Sequence, residues 1–197
     1  MHRQPLIELL LRYRAAWPDE GAIVDRFVAF ASAHQDCLQR SCRVGHITAS
    51  AWIVPAVGDA ALLTHHRKLG RWLQLGGHVD GESHVERAAL REAQEESGLA
   101  RLAFVGWAGP QLVPLDLDVH AIPARGTEPQ HDHWDVRFLL RAAPGQELQI
   151  SGESNDLRWF PAGELATATD EDSVLRLHRK TVQLRRRPMF ATEIVID

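Results

Sequence analysis

The sequence predicts an α/β fold, with a helical N-terminal extension ahead of a mixed β-sheet, and three observations predict it. Apolar residues recur at helical spacing through residues 5 to 42 and then, from His46 onward, alternate as strands do. A glycine-rich stretch, Gly76-Gly77-His78-Val79-Asp80-Gly81, feeds a run of good helix formers from His84 to Ser97. After that helix the chain returns to strand-like runs, each limited by proline.

Taken in order, Leu6, Leu9, Leu10 and Tyr13 form a first helical stripe. Trp17-Pro18-Asp19-Glu20-Gly21 breaks it, and Ile23, Phe27, Phe30 and Ala31 begin a second. Residues 1–43 therefore read as an extension packed on the core, 44–187 as the main domain and 188–197 as a tail. Residues 47–55 and 60–66 read as two strands of a hairpin turned at Ala56-Val57-Gly58-Asp59. Arg71 to Leu75 delivers a third strand into the glycine loop. Ser83 is placed as the N-cap of the long helix, with Glu86 completing a capping box, and Gly98 as its left-handed C-cap. From His131 to Leu140 the pattern is again that of a strand, with His131, His133 and Asp135 on one face and Trp134 and Val136 on the other. A further strand is expected within Gly152–Pro161. A last helix begins at Thr169 or Asp170, buries Val174, Leu175, Leu177 and Val182, and stops at Arg185-Arg186-Arg187-Pro188.

Composition narrows the function. The 197 residues suit one domain with a modest extension, and 45% apolar with 24% charged residues is ordinary for a globular protein. A net charge of −4 argues against general nucleic-acid binding. No apolar run is long enough to span a bilayer, and Glu8 interrupts the apolar start of the chain, so neither a membrane span nor a signal peptide is expected. Cys37 and Cys42 have no second pair for a zinc site and read as a reduced pair, which places the protein in the cytoplasm.

The chemistry concentrates on the long helix. Glu92, Glu95 and Glu96 stand at i, i+3 and i+4, and they continue the face that carries Val85, Ala88 and Ala89. At separations of about 6 Å each like-charge pair costs about 0.7 kcal/mol in water and nearly 3 kcal/mol at an effective dielectric of about 20. Arg91 offsets one charge through its i, i+4 relation to Glu95. The remaining negative cluster calls for a hard divalent cation with oxygen ligands; a solvated acidic face is the competing reading. His65 and Arg67, in a basic cluster just before the glycine loop, are placed either against substrate phosphate or on a solvated hairpin end. His131 and His133, with Arg137 on the same strand, are assigned to substrate contact, with metal ligation or a structural role as alternatives.

These residues resemble the signature of the Nudix hydrolase superfamily, MutT-like in type: Gly, five residues, Glu, seven residues, Arg-Glu, an aliphatic, any residue, Glu-Glu, any residue, Gly, an aliphatic. Arg91-Glu92-Ala93-Gln94-Glu95-Glu96-Ser97-Gly98-Leu99 matches its second half without a gap. The first half has variant spacing, since the isolated glutamate position falls on Ser83 and Glu82 stands one place early. The resemblance implies an α/β/α sandwich and a metal-dependent hydrolase that cleaves the pyrophosphate bond of a nucleoside diphosphate linked to another moiety. It implies Mg2+ or Mn2+ held by Glu92, Glu95 and Glu96 with a backbone carbonyl of Gly76 or Gly77, and Arg91 orienting the glutamates. Glu153, ahead of a short strand ending near Trp159, is implied as a further metal ligand or as the general base, with Glu82 and a motif glutamate also open for that role. The partners implied are a small nucleotide substrate and, as is common in proteins resembling this one, a second copy in a homodimer. Two alternatives stand beside hydrolysis: a nucleotide sensor without turnover, and an isoprenoid-diphosphate isomerase, which would want a cysteine beside the motif.

Overall fold

In the computed structural model, residues 2–57, 59–186, 192–194 and 196 are described. Two antiparallel-connected helices, α1 (Gln4–Ala16) and α2 (Gly21–Ala33), open the chain, joined by one tight turn at Pro18–Glu20. The sheet strands follow as β1 (Gly45–Val54), β2 (Ala60–His66), β3 (Arg71–Leu73) and β4 (Leu75–His78). Helix α3 (Val85–Ser97) leads to β5 (Leu102–Gly106), β6 (Asp116–Ile122), β7 (His131–Ala142) and β8 (Ser154–Pro161). A short α4 (Leu165–Ala168), the helix α5 (Asp172–Leu184) and an edge strand β9 (Thr192–Ile194) complete the described chain.

The sheet is mixed because β1 and β7 run parallel along their whole length, from Gly45↔Asp132 to Val54↔Arg141, while the other described pairings are antiparallel. Strand β1 shares its free edge between two partners. Its middle pairs with β4, placing Ala49 opposite Gly77 and Thr48 opposite His78, and its end meets β2 at Ile53↔Leu62. The expected hairpin is thus real but brief, and the long partner of β2 is β8. The edge of β7 is divided in the same way between β6 and β5.

Alternation then assigns the two faces. Ile47, Ala49 and Ala51 of β1 lie beside Trp134, Val136 and Phe138 of β7 on one face. There Trp134 stacks on Phe30, with ring centroids 4.3 Å apart, and meets Phe27 edge-on at 5.2 Å, which docks α2. Helix α3 covers the same face, burying Val85, Ala88, Ala89 and Ala93. The opposite face is polar yet mostly buried: His46, Thr48 and Ser50 of β1 stand beside His133, Asp135 and Arg137 of β7, with Asp118 and Asp116 of β6 beyond. Helix α5 closes that face. The arrangement is the α/β/α sandwich expected.

Three local expectations are corrected. Ser83 does not cap α3: His84 occupies that position with no side-chain cap, while the Glu82 carboxylate accepts the His84 N–H at 2.9 Å. Glu86 turns to the His84 ring, Oε1 to Nδ1 3.1 Å, so no capping box forms. On α5, Val182 is exposed while Lys180 and Thr181 are buried, because that helix packs on carboxylates of the sheet as well as on apolar residues. Gly98 takes the left-handed cap as read, with φ of 72°. The end assigned to Arg187 and Pro188 lies outside the described residues.

Candidate active site

The face of α3 that meets β4 carries the acids. Glu96 is 8% exposed, and one of its carboxylate oxygens accepts the Gly76 N–H at 3.0 Å. Glu92 lies one turn earlier against Gly77, where a Cβ would come within 2.5 Å of Glu92 Oε2. Only a residue without a side chain leaves that carboxylate its place. Glu95 is exposed where Glu96 is buried and Glu92 half-buried, yet its charge still acts on Glu96. Arg91 holds the arrangement, donating to Glu92 Oε1 at 2.8 Å and to the His78 carbonyl at 2.9 Å.

Burial pushes the Glu96 carboxyl up to about 7. The Gly76 N–H opposes this, and the negative charges of Glu92, Glu153 and Glu95 add to it. Glu153 is therefore within electrostatic reach of the acidic pair although its own side chain is exposed. Its carbonyl accepts the Arg67 N–H at 2.9 Å, which ties the chain ahead of β8 to the end of β2. Arg67 itself donates to the Ser154 carbonyl at 3.3 Å, and His65 packs on Trp72 at 5.2 Å and approaches Asn155 Nδ2 at 3.3 Å. These two residues sit beside Glu153 and β8.

The extension reaches this site. Arg40 makes a two-pronged pair with Asp80, at 2.6 and 2.9 Å, and the Gly81 N–H donates to the Leu38 carbonyl at 2.7 Å. Asp80 has a positive φ of 49°, uncommon for a residue with a side chain, and the pair holds it there. The Asp80 carboxylate raises the Arg40 guanidinium above its ordinary value against a cost of burial, and the fields of Asp80, Glu92 and Glu153 add to the rise.

On the opposite face, Arg137 is 2% exposed and fully engaged, with Nε on Asp135 at 2.8 Å, Nη2 on Asp118 at 2.8 Å and Nη1 on Asp116 at 3.4 Å. The expectation that it contacts substrate is corrected here: its partners stand on β6, β7 and, through the Ser173 carbonyl at 3.2 Å, α5, and the side chain is buried. Arg176 and Lys180 of α5 join the same acids, and Lys180 reaches on to Tyr13 and Glu20. His131 and His133 lie on this polar face as well, away from the glutamates and packed against His46.

A family model for the NUDIX domain matches residues 45–180. The chain belongs to the NUDIX family. Among solved structures, this NUDIX chain is similar to a hydrolase of that family from Clostridium perfringens, at 26% identity and a TM-score of 0.55, over 71% of this chain and 96% of that one. It shares the fold of an Ap4A hydrolase from C. elegans (18%, TM-score 0.51, 71% and 96% covered). It also shares that of the dihydroneopterin triphosphate pyrophosphohydrolase of E. coli (15%, TM-score 0.52, 68% and 92% covered). No curated protein sequence matches it. The NUDIX match begins at Gly45, so α1, α2 and the Arg40 contact to the loop lie outside it. This NUDIX chain is an enzyme of the pyrophosphohydrolase type.

The donor set suits a hard divalent cation. It is made of carboxylate oxygens at close quarters, one of them shifted upward by its burial and further by its neighbours' charge, beside a glycine strand that leaves room. Sequence reasoning missed Arg40, Asp80, His46 and His78 here. For Arg40 and Asp80 the available signal was an Asp-Gly in the loop, but nothing in the chain pairs it with a residue 40 positions earlier.

Proposed function

We propose that this NUDIX chain hydrolyses the pyrophosphate bond of a nucleoside diphosphate linked to another moiety, with Mg2+ or Mn2+ as cofactor. The observation that carries the reading is the buried Glu96 carboxylate. It is held on the Gly76 N–H beside Glu92, and burial, with the charges of the surrounding acids adding to it, raises it to about 7. A buried acid in that state is a poor structural choice and a good ligand. Glu92, Glu95 and Glu96, with the backbone of Gly76 and Gly77, would hold the cation. When bound, it neutralises charge on the pyrophosphate oxygens and acidifies water. Arg91 fixes the rotamer of Glu92 and ties it to the loop through the His78 carbonyl. Glu153, exposed and near the cluster, is suited to take a proton from the attacking water. Arg40, paired from the extension into this loop, sets the position of Asp80 at the rim.

Turnover is tested with a panel of nucleoside diphosphate conjugates and triphosphates, reading phosphate after phosphatase coupling, with Mg2+ or Mn2+. Hydrolysis that is lost in Glu95→Gln, with the fold intact, supports the reading. Tight nucleotide binding by the wild-type protein without turnover overturns it in favour of a sensor.

A further inference from the structure

The glutamate site leaves a second constellation unexplained. Five histidines, His46, His78, His120, His131 and His133, gather on the polar face of the sheet, drawn from four strands. Strand register brings them there: His133 stands opposite His46 on one side and His120 on the other, and His78 is diagonal to His46 across the Thr48 pairing. Ring centroids lie 4.8 Å apart for His46 and His133, 5.0 Å for His46 and His131, and 5.3 Å for His131 and His133.

Such packing is hard to explain as structure alone. A neutral imidazole carries one donor and one acceptor, and both want partners when buried. His46 is 3% exposed, and neither ring nitrogen has a partner in hydrogen-bonding geometry, although the Cys42 carbonyl lies close enough to influence the ring. His131 differs in a telling way. Its Nδ1 donates to the Pro129 carbonyl at 2.9 Å, which leaves Nε2 as a free lone pair pointed away from that anchor. A backbone carbonyl fixing the outer nitrogen is the usual support behind a metal-bound imidazole.

We propose that His46, His131 and His133 form a binding site for a borderline divalent transition-metal ion, zinc fitting best, separate from the hard-cation site of the glutamates. One ligand nitrogen from each of the three lies within 4.8 Å of the others. Nitrogens bound at about 2.0–2.1 Å to a tetrahedral ion stand about 3.4 Å apart, so small side-chain rotations complete the set. Three nitrogen donors select zinc over magnesium, as oxygen donors do the reverse. Three protein ligands leave a fourth position open, and the His78 ring packs 4.9 Å from that of His46. The two sites are one residue apart on β4 but on opposite faces: Gly77 abuts Glu92, and His78 turns to the histidines.

The test uses the full chain, stripped with chelator and titrated with Zn2+ alone against a chromophoric competitor. One equivalent of tight zinc is expected, weakened at least about 100-fold in His131→Gln and by less than threefold in Glu92→Gln. Equal affinity in His131→Gln overturns the proposal, as does a loss in Glu92→Gln of the same size, which would put the zinc on the glutamates. Should His131→Gln fail to fold by circular dichroism, zinc-edge X-ray absorption of the wild-type protein decides. Three imidazoles in the scattering shell support the site, and an all-oxygen shell, or no retained zinc, overturns it. None of these readouts depends on whether the chain turns over a nucleotide.

Discussion

Glu96→Gln separates the electrostatic cost of the acidic pair from its use. The amide keeps an acceptor for the Gly76 N–H, so the hydrogen bond at 3.0 Å survives while the charge is removed. A carboxyl raised from 4.5 to about 7 by folding favours its protonated form in the native state. Its contribution to stability is therefore complete below pH 4.5 and is lost as pH rises through 7. At about 1.36 kcal/mol per pKa unit, the metal-free wild type is disfavoured by about 3 kcal/mol at pH 8 and by about 1 kcal/mol at pH 5. Gln at this position has no such dependence. In EDTA at pH 8 the variant should be more stable by about 3 kcal/mol, a rise in Tm of roughly 6–12 °C for a chain of this size, and the gap should shrink toward pH 5. Saturating Mg2+ should stabilise the wild type by mass action and leave the variant nearly unchanged, while its hydrolysis falls to background. Urea or thermal unfolding followed by circular dichroism reads all of this. A variant no more stable than wild type at pH 8 in EDTA, or a gap independent of pH, would refute the reasoning.

Further outcomes follow from the same geometry. Gly77→Ala should fold normally but lose activity about tenfold or more, because the added methyl meets only the movable end of Glu92. Gly76→Ala should unfold the site instead, since its φ of 151° and approaches of 2.6 Å to the Ser50 Cα and 2.7 Å to the Ala49 carbonyl leave nothing free to move; melting curves of the two variants test the contrast. Arg137→Met should cost about 3–5 kcal/mol in urea unfolding by stranding the buried Asp135 and taking one of the cations from Asp116 and Asp118, which keep Arg176 and Lys180. A stable variant with a KM raised tenfold would restore Arg137 to substrate binding. Arg91→Lys keeps the charge but loses the planar guanidinium whose Nη2 donates to both Glu92 and the His78 carbonyl, so steady-state kinetics should show kcat lowered about tenfold with KM little changed.

What was legible in the chain was what is local. The glycine loop, α3 and its Gly98 cap are written in neighbouring residues, and the i, i+4 spacing put Glu92 and Glu96 on one inward face. That Glu95 stays exposed while Glu96 is buried was not visible, because the spacing does not say where β4 lies against the helix. Arg137 looked like an anion binder because an isolated arginine beside histidines carries no sign of its partners. Asp116 and Asp118 arrive from β6, through a register that only the folded sheet sets. The histidine group was half seen, as His131 and His133, for the same reason: His46, His78 and His120 come from three other strands. Ser83 failed as a cap because the helix starts one residue later, with His84 at the cap position and its N–H held by the Glu82 carboxylate, an offset that spacing rules do not rank.

The chain of ions on the polar face has a bearing on where this protein can be cut. Glu20 and Tyr13 from the first helices meet Lys180 near the end of the chain, and Lys180 in turn meets Asp116 in the sheet. Trimming away the first 43 residues would strip two of the groups around a buried ammonium, and would also bare Trp134. The frontier between extension and domain is thus a line in the alphabet of the sequence, while mechanically α1 and α5 are latched to one another and to the sheet.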